Sequence, residues 1–176
     1  MSLYLVETEF KAEVDSKEAF ESKVSELKES LESKNIHLIE VQASKDLSKS
    51  FFIFETEQSN VLEESLKERN DLSVQLVKEV RLVGQELDEV KQQADKVNYL
   101  VEWNLPEDLT MDAYLERKKK NSVHYAEVPE VSFERTYVCE DMTKCLCFYD
   151  APDESAVKRA REAVDTPIDS ITEINQ

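Results

Sequence analysis

Reactive side chains are scarce in this chain. It has three cysteines, two of them one residue apart in Cys145-Leu146-Cys147, and two histidines, His37 and His124. Thiolates serve as soft metal ligands or redox groups, and imidazole as a ligand or proton carrier. No Cys-x-x-Cys pair occurs, so a four-ligand zinc site would need a histidine or carboxylate brought in by the fold. Two acids, Glu7 and Glu102, close two copies of Tyr-Leu-Val-Glu and are flanked by apolar residues. A carboxylate held in a dry cleft has a raised pKa and acts as a base or ligand. Tyr137 and Tyr149, on strands expected to face each other, would line the same cleft. The run Arg117-Lys118-Lys119-Lys120 is expected to be a solvated helix end that suits the helix dipole.

Composition removes whole classes of activity. With one glycine, Gly84, in 176 residues, there is no P-loop, dinucleotide fingerprint or nucleophile elbow, because each needs several glycines. A net charge of −17 argues against nucleic-acid backbones and anionic membrane surfaces. No apolar run approaches the length of a membrane span, and the start MSLYLVETEF has no apolar signal region. An odd cysteine count suits a reducing compartment. The expectation is a soluble, acidic, cytoplasmic protein without a disulfide.

The elements that would position these residues occur twice. After Tyr4–Glu7, a capping box at Asp15-Ser16-Lys17-Glu18 precedes Phe20, Val24, Leu27 and Leu31 at helical spacing. A strand from His37, a second over Ser50–Thr56, a short helix capped by Ser59 and a last strand through Val74 to Leu82 follow. After Tyr99–Glu102, Thr110 can cap a helix with Tyr114 and Leu115. Phe133–Cys139 and Lys144–Asp150 form a hairpin, Pro152-Asp153 open a helix, and Asp169–Ile174 is a strand. The fold class is therefore α+β, with two tandem ferredoxin-like βαββαβ units over residues 1–84 and 97–176 and a helical linker over 85–96. Units of this size bury little core alone, so sheet-to-sheet packing as an intrachain pseudo-dimer, as in dimeric α/β barrels, is expected.

Placing the repeats on each other sets Phe51-Phe52-Ile53-Phe54 against Cys145-Leu146-Cys147-Phe148, so that the cysteines replace bulky hydrophobes. Residues i and i+2 of a strand lie roughly 6.5 Å apart with parallel Cβ vectors, which disfavours a disulfide between Cys145 and Cys147. Buried thiols pack as small hydrophobes. The expected role of these cysteines is packing, with metal ligation or redox chemistry as the alternatives. Cys139, across the hairpin, belongs to the same candidate metal set as Cys145, Cys147 and His124.

The segment Cys147–Ile174 resembles the C-terminal half of a bacterial domain family of unknown function. Cys147, Tyr149, Ala151, Pro152, Ala156, Pro167, Asp169, Ile171 and Glu173 carry the resemblance. Tyr99–Pro106 and Glu134–Val138 extend it over nearly all of residues 97–176. The first half is similar only as a diverged copy, with Glu57-Gln58 in place of Ala-Pro. The resemblance implies a ferredoxin-like fold. Through one branch, the nickel-responsive actinobacterial proteins that bind nickel as dimers, it implies nickel or another divalent metal. That branch carries more histidine near the first strand, where this chain has Glu102-Trp103-Asn104.

Three functions are compatible with these residues. The first is a non-catalytic protein that binds a small molecule or metal ion between the two sheets, at Glu7, Glu102, His124, Tyr137 and Tyr149. The second is a cofactor-free enzyme of the dimeric α/β-barrel kind using Glu102, His124 or Tyr137 as acid or base. The third is an interaction or assembly module. The expected partner is a small molecule or metal ion, with neither nucleic acid nor membrane, and the chain a monomeric pseudo-dimer or a homodimer.

Overall fold

A computed structural model describes residues 2–10 and 14–175; Met1, residues 11–13 and Gln176 of the expected units lie outside them. The chain divides into two compact units, one running through Val80 with Val90–Ala94 and Asn175, the other comprising Arg81–Glu89 and Asp95–Ile174. Each is α+β with a four-stranded antiparallel sheet and the βαββαβ order read from the sequence. Among the described residues no helix is long and apolar enough to cross a membrane.

In the first unit the elements are β1 (Ser2–Phe10), α1 (Lys17–Glu32), β2 (His37–Ala43), β3 (Ser50–Thr56), α2 (Ser59–Lys67) and β4 (Leu72–Val83). The strands lie in the order β2-β3-β1-β4. Ser16 caps α1 by accepting the Ala19 amide at 3.1 Å, and Phe20, Leu27 and Leu31 form the helix's buried stripe. Ser59 is not the cap of α2: Gln58 takes that position and makes no side-chain cap bond. Phe52 and Phe54 meet Leu27, Leu31, Leu62 and Leu66 in an apolar core on the helix side of the sheet.

Helix α3 (Leu87–Gln93) and a 3-10 turn follow where a helical segment was expected. The second unit contains β5 (Tyr99–Asn104), α4 (Met111–Asn121), a 3-10 turn (Ser122–Glu127), β6 (Ser132–Cys139), β7 (Lys144–Asp150), α5 (Glu154–Ala163) and β8 (Ser170–Glu173). The strands run β6-β7-β5-β8. Thr110 caps α4 through the Ala113 amide at 3.2 Å, and Asp153 caps α5 through the Ala156 amide at 2.8 Å. Gly84 has φ +95, and a Cβ there would meet the Phe133 ring at 2.8 Å, so the one glycine lets that ring approach the backbone.

The units repeat each other at a fixed offset of 95 residues, down to irregular details. A β-bulge between Leu38 and Glu40 in β2 recurs between Phe133 and Arg135 in β6. The left-handed residue of the β2–β3 turn, Leu47 (φ 64), recurs as Met142 (φ 60). Asp46 Oδ1 accepts the Ser48 amide, and Asp141 Oδ1 accepts the Thr143 amide, each at 3.1 Å. Glu7 lies 3.5 Å from Lys49, and Glu102 lies 2.7 Å from Lys144. These landmarks correct the alignment expected from the sequence by one residue. Cys147 takes the place of Phe52 and Cys145 that of Ser50, while Phe51 and Ile53 correspond to Leu146 and Phe148. An apolar run such as Phe51–Phe54 has no alternation to fix its register, so the slip was invisible without the strand pairing.

The Glu102–Lys144 pair is mostly buried, with side chains 9% and 17% exposed. Glu102→Leu alone should lower stability by about 1–3 kcal/mol, and adding Lys144→Met should recover most of it, because an ion pair is costlier broken than replaced. Denaturant midpoints of the two single variants and the double variant measure the coupling. Additive losses would show that the pair does not hold the two strands.

Candidate functional site

The helix side of the second sheet carries the site. Strand alternation puts Cys145, Cys147 and Tyr149 of β7 on this face, with Val101 and Trp103 of β5. Tyr114 of α4 and Ala156, Val157 and Ala160 of α5 cover them. Arg161 shares the buried stripe of α5 and is only 2% exposed. Its Nη1 donates to the Tyr149 hydroxyl at 3.0 Å and its Nη2 to the Pro167 carbonyl at 2.5 Å. Its Nε is buried without a hydrogen-bond partner. No carboxylate among the described residues forms an ion pair with it. A buried guanidinium without an anion is strongly disfavoured, so the interior must supply negative charge or a strong acceptor.

The Cys147 sulfur fills that role. It accepts the Thr136 hydroxyl at 3.2 Å. Hydrogen bonding from Cys145 holds the Cys147 thiol well below the ordinary thiol range; the charges of Arg161 and Lys118 and the Thr136 hydroxyl add to this and outweigh burial. Cys145 is pushed well above that range by the same hydrogen bond and by burial, so it keeps the proton that it donates to Cys147. Burial raises the Tyr114, Tyr125 and Tyr149 phenols and keeps them neutral. Burial opposes the charge on Arg161 and is the largest single effect, but Cys147, Tyr149 and Tyr125 together outweigh it and hold the guanidinium above its ordinary range.

A small cavity of about 20 Å³, more than the roughly 10–15 Å³ that one water needs, lies against Cys145, Cys147 and Arg161. Trp103 and Tyr114 also line it, and the half-buried Arg117, Lys118, Asn121 and Ser122 form its rim. The Arg117 guanidinium lies 5.6 Å from the Trp103 ring centroid, and Lys118 Nζ lies 4.2 Å from that of Phe133. Phe133 stacks on Tyr125, whose hydroxyl meets that of Tyr149 at 2.6 Å. Two residues of the basic run thus turn onto the rim instead of both being spent in solvent as the helix end. The sequence shows only a charged helix end; the aromatic partners that draw its first two members inward come from β5 and β6.

The residues expected to share one cleft are distributed differently. Tyr149 lies behind the pocket's wall, bonded to Arg161, and the metal-ligand candidates Cys145 and Cys147 line the pocket. Tyr137 and Cys139 lie on the opposite sheet face, where Tyr137 packs edge-on against Phe148. The bulge at Phe133/Arg135 is the reason: it shifts the alternation, so Phe133 meets Tyr149 on one face and Tyr137 flanks Leu146 on the other. Glu102, on the far side of Leu146, also occupies that opposite face, and Glu7 occupies the equivalent face of the first unit. His124 is exposed, with Nδ1 2.7 Å from Glu127. None of the three cysteines forms a disulfide, and all are buried, as packing residues were expected to be. Arg161 escaped the sequence reading although a signal existed: it is a cation at helical spacing on the Val157–Val164 apolar stripe of α5.

Known structures place the fold. The chain is similar to Putative Chlorite dismutase TA0507, at 12% identity over 100% of this chain and 96% of that chain, with a TM-score of 0.58. It is similar to a mutant chlorite dismutase from Candidatus Nitrospira defluvii, at 12% identity over 100% of this chain and 93% of that chain, with a TM-score of 0.53. At these identities the likeness concerns the fold, a tandem ferredoxin-like α+β architecture. Residues 99–174, within the second unit, match the family described as "Nickel responsive protein SCO4226-like". The crystal structure of SCO4226 from Streptomyces coelicolor A3(2) is 18% identical over 45% of this chain and 96% of that chain, with a TM-score of 0.39. No curated protein matches the chain.

The donor set of the pocket does not fit a nickel ion, the metal that the family's description names. No three His, Cys, Asp or Glu side chains converge as metal ligands among the described residues. The two sulfurs of the pocket share it with Arg161 and Lys118, whose charges oppose a divalent cation. His124 and Cys139 are outside the pocket.

The lowered Cys147 thiol has a consequence for stability. A group whose folded pKa is depressed stabilises the fold above its unfolded value, about 8.5 for a thiol, and loses that contribution as pH falls through its folded value. Wild-type stability should therefore contain a component that rises with pH over this window, and Cys147→Ala should remove it. Cys145, Tyr114, Tyr125, Tyr149, Arg161 and Lys118 surround the thiol and remain in both proteins. Urea midpoints measured from pH 6 to 8 compare the slopes; equal slopes would show that Cys147 is an ordinary thiol.

Proposed function

We propose that the chain is a non-catalytic binding protein whose site is the helix-side pocket of the second unit, and that it takes a small anionic ligand. One observation carries this reading. At equivalent positions of the two units, Phe52, Phe54 and Leu66 stand against Cys147, Tyr149 and Arg161. The fold therefore forms a complete core with three apolar residues, and the polar trio is not a requirement of the architecture. Such a trio costs stability in a core, a cost that functional sites characteristically carry.

The ligand class follows from charge. Arg117, Lys118 and Arg161 border the cavity, and against their three charges stand the Cys147 thiolate and the exposed Asp165 carboxylate, 4.0 Å from Arg117. Arg117 Nε, like Arg161 Nε, is buried without a partner. The cavity's size limits the ligand, or the part of it that enters, to a few atoms. An acid–base enzyme built on Glu102, His124 and Tyr137 is the weaker reading, because the sheet separates the first and third from His124. The nickel of the family's description is not carried over to this chain.

Melting temperatures in a panel of small monovalent anions (formate, nitrite, cyanate) at constant ionic strength test this reading. At least one anion should raise the melting temperature of the wild type and leave that of Arg161→Leu, which copies Leu66, unchanged. Equal responses of both proteins to every anion would overturn it.

A further inference from the structure

We propose that Cys147 is a peroxide-reactive cysteine, oxidised to the sulfenate by hydrogen peroxide that enters the helix-side cavity. The inference goes beyond the binding reading: it requires that the cavity admit a molecule of two oxygen atoms, not that an anion reside there.

Three features of the pocket converge on it. First, Cys147 and Arg161 line one cavity, although each is almost completely withdrawn from the surface, at 1% and 2% exposure. A nucleophilic sulfur with a cation beside it and an approach of its own is what separates a reactive cysteine from one that only packs. Second, the polar groups around the sulfur are directed at a charged form. The Thr136 hydroxyl donates to it at 3.2 Å, and the guanidinium beside it has no carboxylate partner among the described residues. Third, Arg161 keeps a donor in reserve. Its two terminal nitrogens are occupied by Tyr149 and Pro167, while Nε is buried with no acceptor. An orphan buried donor calls for a physical account, and an acceptor that arrives only with a reactant supplies one.

The reaction balances without another co-reactant. The Cys147 thiolate attacks one oxygen of hydrogen peroxide, a sulfur–oxygen bond forms and the oxygen–oxygen bond breaks. Sulfur gives up two electrons and the distal oxygen leaves as hydroxide. Hydroxide then takes the proton from the nascent sulfenic acid, giving water and Cys147 sulfenate. Arg161 Nε–H and the Lys118 ammonium are the donors at the cavity that stabilise the developing negative charge on the leaving oxygen. The product is again an anion, so Arg161 remains compensated. Cys145 retains its proton and is badly placed for a disulfide with Cys147, being two residues along the same strand. The reaction therefore halts at a one-oxygen adduct until an external thiol reduces it.

The other two cysteines are internal controls. Cys139 is buried on the opposite sheet face and does not line the cavity; Cys145 lines it but holds its proton. The folded protein is treated with equimolar hydrogen peroxide in the presence of a 1,3-diketone trap for sulfenic acid, and the adducts are mapped by peptide mass spectrometry. Cys147 should be labelled at least about tenfold faster than Cys139 or Cys145. Its rate should change little between about pH 6 and 8, where an ordinary thiol accelerates with pH. Arg161→Leu should slow the labelling about tenfold or more and restore the ordinary pH dependence, with circular dichroism confirming the fold. If that variant fails to fold, Thr136→Val and the wild-type pH profile decide the matter. Equal labelling of the three cysteines, a wild-type rate that climbs through pH 8, or unchanged rates in the folded variants would each overturn the proposal. An anion-dependent melting shift without preferential Cys147 labelling would sink this inference and leave the binding reading standing.

Discussion

A guanidinium buried in the core of a small α+β unit is the constraint around which the second half of this protein is organised. Arg161 is carried into the interior by the apolar stripe of α5, and α5 is fixed at its start by the Asp153 cap. Its charge cannot be left alone in that environment. The Tyr149 hydroxyl and the Pro167 carbonyl satisfy two of its nitrogens, and the Cys147 thiolate offsets its charge. The thiolate in turn depends on Thr136 from β6 and on the Cys145 proton. Four elements, β6, β7, α5 and the segment before β8, are thus tied to one ion. The positions of the aromatic residues follow from it, since Tyr149 orients Tyr125, Tyr125 stacks on Phe133, and Gly84 admits the Phe133 ring.

Internal duplication separates what the fold requires from what the site requires. The bulge, the left-handed turn residue, the aspartate that ties that turn and the glutamate–lysine pair all recur at a 95-residue offset. These features shape backbone and strand register, and both units need them. The helix-side interior does not recur. It is apolar around Phe52, Phe54 and Leu66, and polar around Cys147, Tyr149 and Arg161. One unit shows that the frame packs without the polar trio; the other shows that the frame accommodates it. The part of the chain that matches the nickel-responsive family spans the polar version, where cations border the pocket and no cluster of metal ligands forms among the described residues.

Much of the frame was legible in the sequence because it is written in local signals. Thr110 caps the helix expected of it, the caps Ser16 and Asp153 fall within the starts expected at Asp15–Glu18 and Pro152-Asp153, and the repeated Tyr-Leu-Val-Glu marks equivalent first strands. The two misreadings of strand face share a cause: they depend on parity. Phe51–Phe54 is apolar on both faces, so a slip of one residue set Cys147 against Ile53 instead of Phe52. A bulge that no residue type announces moved Tyr137 off the face of Tyr149. The site was half legible. The cysteine pair drew attention at once, but its meaning lies in a cation contributed by a helix, and a charged residue on an apolar stripe reads as an irregularity until the strand facing it is known.

The charge balance around Arg161 depends on Cys147 being a thiolate in the folded protein near neutral pH. Ultraviolet thiolate absorbance, followed while pH is lowered from 8, measures this directly. One thiolate equivalent should persist well below the ordinary thiol value of about 8.5 and be absent from Cys147→Ala. Thiolate absorbance that emerges only as pH rises through about 8.5, or that survives in Cys147→Ala, would contradict the account.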